Sequence, residues 1–196
     1  MAKKFRLDFL VVEDHPNGRE SLGMRLSSSS FVSRYEGLIR QNLGHDVEIE
    51  VNVIHTENPD AAEDKLAELK REYQNLPPDS VGYFLGLYID HDFGQKGNDG
   101  VTLAHRLHSE EPNAPFAMFL VTGRKGDAIV GTDARLQELG FESYDQIGIV
   151  EVYTKQGTNP RDFWSSQLSF IEYRVRQVLD ASYNDPHAGR SFAKPA

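Results

Sequence analysis

The chain has no cysteine among its 196 residues. Disulfides, thiolate metal sites and cysteine nucleophiles are therefore excluded. Basic charge is also in short supply: 21 Lys and Arg stand against 30 Asp and Glu, a net charge of −9 at pH 7. A nucleic-acid-binding surface needs a basic patch, so this balance argues against one and favours metal ions and basic protein surfaces as partners. Long hydrophobic runs are missing as well, and no stretch approaches membrane-spanning length. The opening MAKKFRLDFLVVED carries only a short apolar run, interrupted by Asp8 and Glu13. It lacks the longer apolar core and small-residue cleavage site of a secretory signal. These absences predict a soluble, cytoplasmic protein with no membrane contact. The length suits one well-buried core and is short for two domains.

What is present is an alternation of strands and helices. The run from Val81 to Asp90, VGYFLGLYID, is continuously apolar and ends abruptly in a carboxylate, with Asp92 two residues on. Such a run, bounded by turn residues, marks a strand buried on both faces. Phe5 to Val12 and Phe116 to Val121 read the same way, ending in Glu13-Asp14 and in Thr122-Gly123. Val47 to Val53 alternates with Glu48, Glu50 and Asn52, and Ile147 to Tyr153 alternates around Glu151. Alternation predicts strands with one wet face, as at a sheet edge. The last of them runs into Thr154-Lys155.

Helices are expected between these strands. Pro16-Asn17 opens one through Leu22 and Leu26, the run Ser27 to Ser30 then breaks the pattern or caps a new helix, and Phe31, Tyr35, Leu38, Ile39 and Leu43 recur at helical spacing up to Gly44. This first connection, about 27–44, is long and predicts an inserted helical turn or a lengthened helix. Asn58-Pro59 caps a helix with the stripe Ala62, Leu66, Leu69 and Tyr73. Asp99-Gly100 leads into a helix with Val101, Ala104 and Leu107, and another runs from Asp133 to Leu139. Asn159-Pro160 opens the last, with Trp164, Leu168, Ile171 and Val175. The tail, 181–196, is polar and expected to be mobile. Five strands alternating with helices predict an α/β fold, a doubly wound five-stranded parallel sheet in a single domain. With the two alternating strands at its edges, the order is 2-1-3-4-5, as in flavodoxin-like sheets.

Ligands of open α/β sheets bind beyond the carboxyl ends of the strands. There the chain places Glu13-Asp14, Asp90, Thr122 and Lys155 on strands one, three, four and five. Adjacent carboxylates repel in an apolar setting unless a cation lies between them, so the acidic pair reads as a divalent-metal site or, taken alone, as a solvated turn. VVEDHP, LYIDHDFG followed by DG, FLVTG and VYTK resemble the motifs of response regulator receiver domains, the phosphoacceptor half of two-component signalling. The resemblance runs from about Phe5 to about Asp180, so residues 1–180 are expected to form the receiver-like domain.

It implies a stand-alone receiver, not an ordinary enzyme, phosphorylated on aspartate by a histidine kinase or phosphotransfer protein and signalling to a downstream protein target. It implies a Mg2+ site in which Asp14 is the main ligand, Glu13 assists through water, Asp90 is both ligand and nucleophile, and Asp92 lends its backbone carbonyl. It also implies that Lys155 pairs with the phosphoryl oxygens, that the Thr122 hydroxyl follows the new phosphoryl group, and that the last three elements can form a homodimer face. Asp90 is preferred as acceptor because it ends the apolar run, while Asp92 has the better spacing to Asp99-Gly100.

The chain departs from the family at three points. Gln156 replaces the proline after the lysine, Val152 stands where a switch aromatic is usual with Tyr153 next to it, and the loop after Asp90 is longer. Two other readings stay open. One is a receiver-like binding module that no longer uses phosphate. The other is a haloacid-dehalogenase-like phosphatase using Asp90-His91-Asp92, Thr122 and Lys155, although its acidic pair should follow the lysine, where Asp162 and Asp180 fall in a helix. His91, His105 and His108 are a weak metal set, Gly94 to Gly100 lacks a nucleotide-loop GK[ST] and suggests a lid, and Arg124-Lys125 reads as a solvated turn.

Overall fold

Phe5, Leu7, Phe9 and Val11 alternate with Leu10 and Val12 along the first strand, and each set enters a different apolar cluster, one on either side of the sheet. A strand turns successive side chains to opposite faces, so a run apolar at every position needs cover on both. The computed structural model describes residues 3–76, 80–95, 98–112, 116–123 and 134–154, with positions 169, 172, 173 and 176 beyond them.

The chain runs through β1 (Lys3–Val12), α1 (Pro16–Leu26), α2 (Ser29–Leu43), β2 (Val47–Thr56), α3 (Pro59–Gln74) and β3 (Ser80–Asp90). Then come β4 (Asp92–Gln95), β5 (Asn98–Asp99), α4 (Gly100–Glu110), β6 (Ala117–Thr122), α5 (Ala134–Glu138), a 3-10 turn at Tyr144–Ile147, and β7 (Ile149–Thr154). The main sheet has five parallel strands in the order β2-β1-β3-β6-β7. This is the expected flavodoxin-like order, counting only the strands of that sheet.

One apolar cluster lies under α3, α4 and α5 and includes Leu66, Leu87, Leu103, Leu120 and Leu136. The other lies under α1 and α2 and is rich in rings: Phe9, Phe31, Tyr35, Phe84, Tyr88, Phe119 and Tyr153. Tyr88 stacks on Phe119 at 5.0 Å between ring centroids. Burial, then its neighbours Tyr153 and Tyr35, pushes the Tyr88 phenol well above its ordinary pKa.

Three details sharpen or correct the sequence expectation. In the long first connection the stripe from Phe31 to Leu43 is a separate second helix of 15 residues, the new helix that the serine run allowed. Ser27 and Ser28 cause the break: the Ser27 hydroxyl donates to the Gly23 carbonyl at 2.8 Å, and Ser28 sits in extended conformation ahead of α2. The Tyr35 hydroxyl then donates to the Leu26 carbonyl and pins α2 to the end of α1. Second, the loop expected as a lid forms a two-stranded antiparallel hairpin, β4 with β5. Third, the last described strand starts at Ile149, because Ser143 and Gln146 close a capping box that winds Ile147 into the 3-10 turn. The last expected helix, the tail, Pro77-Pro78 and Lys96 lie almost wholly or entirely outside the described residues. No helix among the described residues is long and apolar enough to cross a membrane.

Candidate functional site

Strand register brings the candidate residues to one edge. Val12 pairs with Ile89, so Glu13, the next residue, lies level with Asp90. Asp90 pairs with Val121, which places Thr122 one step beyond it, and Thr122 pairs with Thr154. These residues all stand at the carboxyl edge of adjacent central strands, where an open α/β sheet leaves a crevice.

Glu13, Asp14 and Asp90 each offer a carboxylate oxygen, and these oxygens lie within 4.8 Å of one another. Glu13 is 3% exposed and Asp90 5%, while Asp14 is open to solvent. Three hard oxygen donors at this spacing, two buried and one at the mouth, suit a hard divalent cation. Thr122 is buried beside them at 1% exposure. Among the described residues no other such group exists, so His91, His105 and His108 do not gather as a metal set. His105 instead leans on Phe141, with ring centroids 4.9 Å apart.

Local backbone bonds hold the carboxylates in place. The Glu13 carboxylate accepts from the His15 amide at 3.2 Å, just before Pro16 starts α1. The Glu13 amide donates to the Thr56 carbonyl at 3.1 Å, extending the β1–β2 ladder by one bond. The His91 amide is shared between the Val121 carbonyl at 2.8 Å and the Asp90 carboxylate at 2.9 Å. On the far side, the Gly100 amide donates to the His91 carbonyl at 3.1 Å, which brings the N-terminus of α4 against Asp90. A side chain at Gly100 would not fit, since its Cβ would fall 2.0 Å from the Asp90 carbonyl oxygen.

Asp92 follows a different course. It is exposed, pairs with Asp99 across the hairpin and stands outside the carboxylate group. Asp99 caps α4 by accepting from the Thr102 amide at 2.8 Å, and Arg135 of α5 reaches both, 3.0 Å from the Asp99 carboxylate and donating to the Thr102 hydroxyl at 3.1 Å. Val152 packs on the α3–α5 side, whereas Tyr153 turns to the other face, 6.0 Å from the Phe119 ring. Lys155, Gln156, Arg124, Lys125, Asp162 and Asp180 lie outside the described residues.

Sequence reading passed over Arg19. Its guanidinium donates to the carbonyls of Glu13 at 2.9 Å and Asp14 at 3.2 Å, and pairs with Glu57 at 3.1 Å. The one available signal was a basic residue a turn and a half beyond an acidic pair, which is common on exposed helices.

No family model and no curated protein matches the chain. Among solved structures it is similar to a CheY-like response regulator receiver domain protein from Methanospirillum hungatei JF-1, with a TM-score of 0.46 and 15% identity over 87% of this chain and 97% of that one. It is also similar to the signal receiver domain of a DNA-binding response regulator from Colwellia psychrerythraea 34H, with a TM-score of 0.43 and 16% identity over 85% of this chain and 98% of that one. The Mn2+-bound form of the response regulator Rcp1 has a TM-score of 0.37 and 15% identity over 83% and 90% of the two chains. Likeness at these identities concerns the fold alone.

Proposed function

We propose that this chain is a phosphoacceptor receiver in which Asp90 takes a phosphoryl group from a histidine kinase or phosphotransfer protein and the change is read by a protein partner. The observation that carries the reading is the convergence of Glu13, Asp14 and Asp90 from adjacent strands, with oxygens within 4.8 Å. In the proposed step an Asp90 carboxylate oxygen attacks phosphorus, the bond from phosphorus to the donor nitrogen breaks, and the departing imidazole takes up a proton. An acyl phosphate remains on Asp90.

Phosphoryl transfer asks for positioning and charge neutralisation more than for acid–base chemistry. Glu13, Asp14 and Asp90 would hold a divalent cation, Mg2+ in this reading, which neutralises charge on the phosphoryl oxygens when bound. The Asp92 carbonyl would share in holding it. Thr122, at the end of the neighbouring strand, offers a hydroxyl to the new group, and Lys155 offers a point charge, as in the resembling family. The net charge of −9 favours a partner with a basic face. A cytoplasmic setting and a homodimer face on the last elements belong to the same reading.

The phosphatase alternative needs Asp90 and Asp92 to converge, and Asp92 is exposed in the hairpin, apart from the carboxylate group. Val152 in the place of the switch aromatic, with Tyr153 buried in the cluster under α1 and α2, favours a second reading to be kept, the module that does not use phosphate.

Intact mass after incubation with a small phosphodonor and Mg2+ tests the proposal. Wild type and Asp92→Asn should gain one phosphoryl group, and Asp90→Asn should not. Loss only in Asp92→Asn would move the acceptor, no adduct in wild type would favour the phosphate-independent module, and steady phosphate release would revive the phosphatase.

A further inference from the structure

Arg19 lies on α1, outside the set of carboxylates, yet its guanidinium donates to the main-chain carbonyls of two of the three residues that form the set. The same side chain pairs with Glu57, the residue that follows β2. It is 16% exposed, although Glu57 is 73% exposed. One planar fork therefore ties the loop after β1 both to the helix that follows it and to the loop after β2. We infer that Arg19 is a positioning residue: it fixes the backbone of Glu13 and Asp14 so that their carboxylates meet Asp90. The inference rests on the proposed cation site.

The physical argument turns on two effects of opposite sign. A positive charge on the backbone of two of the three carboxylate residues opposes the entry of a cation, so by charge alone removing Arg19 should tighten binding. Two hydrogen bonds to adjacent carbonyls hold the loop against the repulsion of its own carboxylates, so removing them should loosen the donor set and weaken binding. Groups that orient metal ligands from behind typically change affinity by about 10–100-fold when lost. That range exceeds what a partly solvated charge contributes through a screened dielectric. Geometry should therefore win. Lysine separates the effects, because it keeps the charge as a single point and cannot span two carbonyls and a carboxylate as a planar fork does.

The test is a Mg2+ titration of folded wild type, Arg19→Gln and Arg19→Lys, with amide hydrogen exchange across residues 13–19 measured in chelator. Both variants should bind Mg2+ about tenfold or more weakly. Their His15 amide, bonded to the Glu13 carboxylate at 3.2 Å, should exchange faster. Arg19→Lys carries the test alone if Arg19→Gln does not fold. Equal or tighter binding in the variants, or unchanged exchange across 13–19, overturns the inference. Failure of wild type to bind Mg2+ while exchange still responds to Arg19 sinks the cation reading and leaves the loop-fixing role in place.

Discussion

Three carboxylates crowd the carboxyl edge of the sheet. Glu13 and Asp90 are buried, and Asp14 completes a group with oxygens within 4.8 Å. Unit charges about 4 Å apart repel by about 1 kcal/mol in water and about 4 kcal/mol at an effective dielectric of 20. Without divalent cations, Asp90→Asn should therefore raise stability by about 1–4 kcal/mol. Urea unfolding in chelator checks this, and a loss of stability would mean that Asp90 is held mainly by attraction. A separate effect concerns His55, whose ring packs where a Cβ on Gly23 would come within 2.7 Å of Cε1. Partial burial of the ring, and then Arg19, hold the His55 pKa below its ordinary 6.5, although the residue as a whole is exposed. Its neutral form belongs to the fold, so its contribution is complete above that value and declines as pH falls from 6.5 toward the lower folded pKa. A His55→Gln variant should lose less stability than wild type between pH 7 and pH 5, as thermal melts at stepped pH would show.

At the scale of elements, the hairpin β4–β5 and the start of α4 decide where Asp90 points. The β3 strand could end in solvent, but the bond from the Gly100 amide to the His91 carbonyl folds the chain back onto it. Gly100→Ala should push α4 away, because its Cβ would lie 2.0 Å from the Asp90 carbonyl oxygen. Overpacking of this kind costs about 1–3 kcal/mol, and denaturant melts should show it. The same variant should weaken Mg2+ binding, since Asp90 must shift with its carbonyl; a stable variant with unchanged binding would separate the helix from the site. The Arg135 contacts with Asp99 and Thr102 join α5 to that same helix start. Helix α5 is thus tied to the element that touches Asp90.

For the whole molecule, a cation that binds only the folded state stabilises it by mass action. At a concentration about a hundredfold above the dissociation constant the gain is about 2.7 kcal/mol. Melting curves should rise with Mg2+, return with chelator, and stay flat with Na+ at equal ionic strength. Asp14→Asn should abolish most of the rise. A rise that survives in Asp14→Asn would place the cation elsewhere on this acidic surface. The buried polar cluster at mid-sheet is independent of the edge: Asp8 lies at 0% exposure, 2.7 Å from Arg6 and bonded by Asn52 and Tyr73. It holds α3 to the sheet through Tyr73 and through the pairing of Arg6 with Glu72 at 2.7 Å.

Strand order and the place of Glu13, Asp90 and Thr122 at the carboxyl edge were readable in the sequence, because burial on two faces leaves continuous apolar runs and burial on one face leaves alternation. Phe5 to Val12 and Val81 to Asp90 ended in carboxylates, and nothing beyond local pattern was needed to see it. Local pattern could not tell whether Asp90 or Asp92 joins Glu13 and Asp14. That choice follows from register, Val12 against Ile89, and from the hairpin that carries Asp92 away. Nor could it show the face of Tyr153. The register shift between Met118 and Phe119 leaves an extra residue in β7, so that Tyr153 faces the cluster under α1 and α2, opposite to Ile149 four residues before it. A single inserted residue reverses every later side chain in a strand of period two. Arg19 was invisible for a similar reason: its partners are backbone carbonyls, which every residue carries, and only the turn of the chain around α1 brings two of them to one guanidinium.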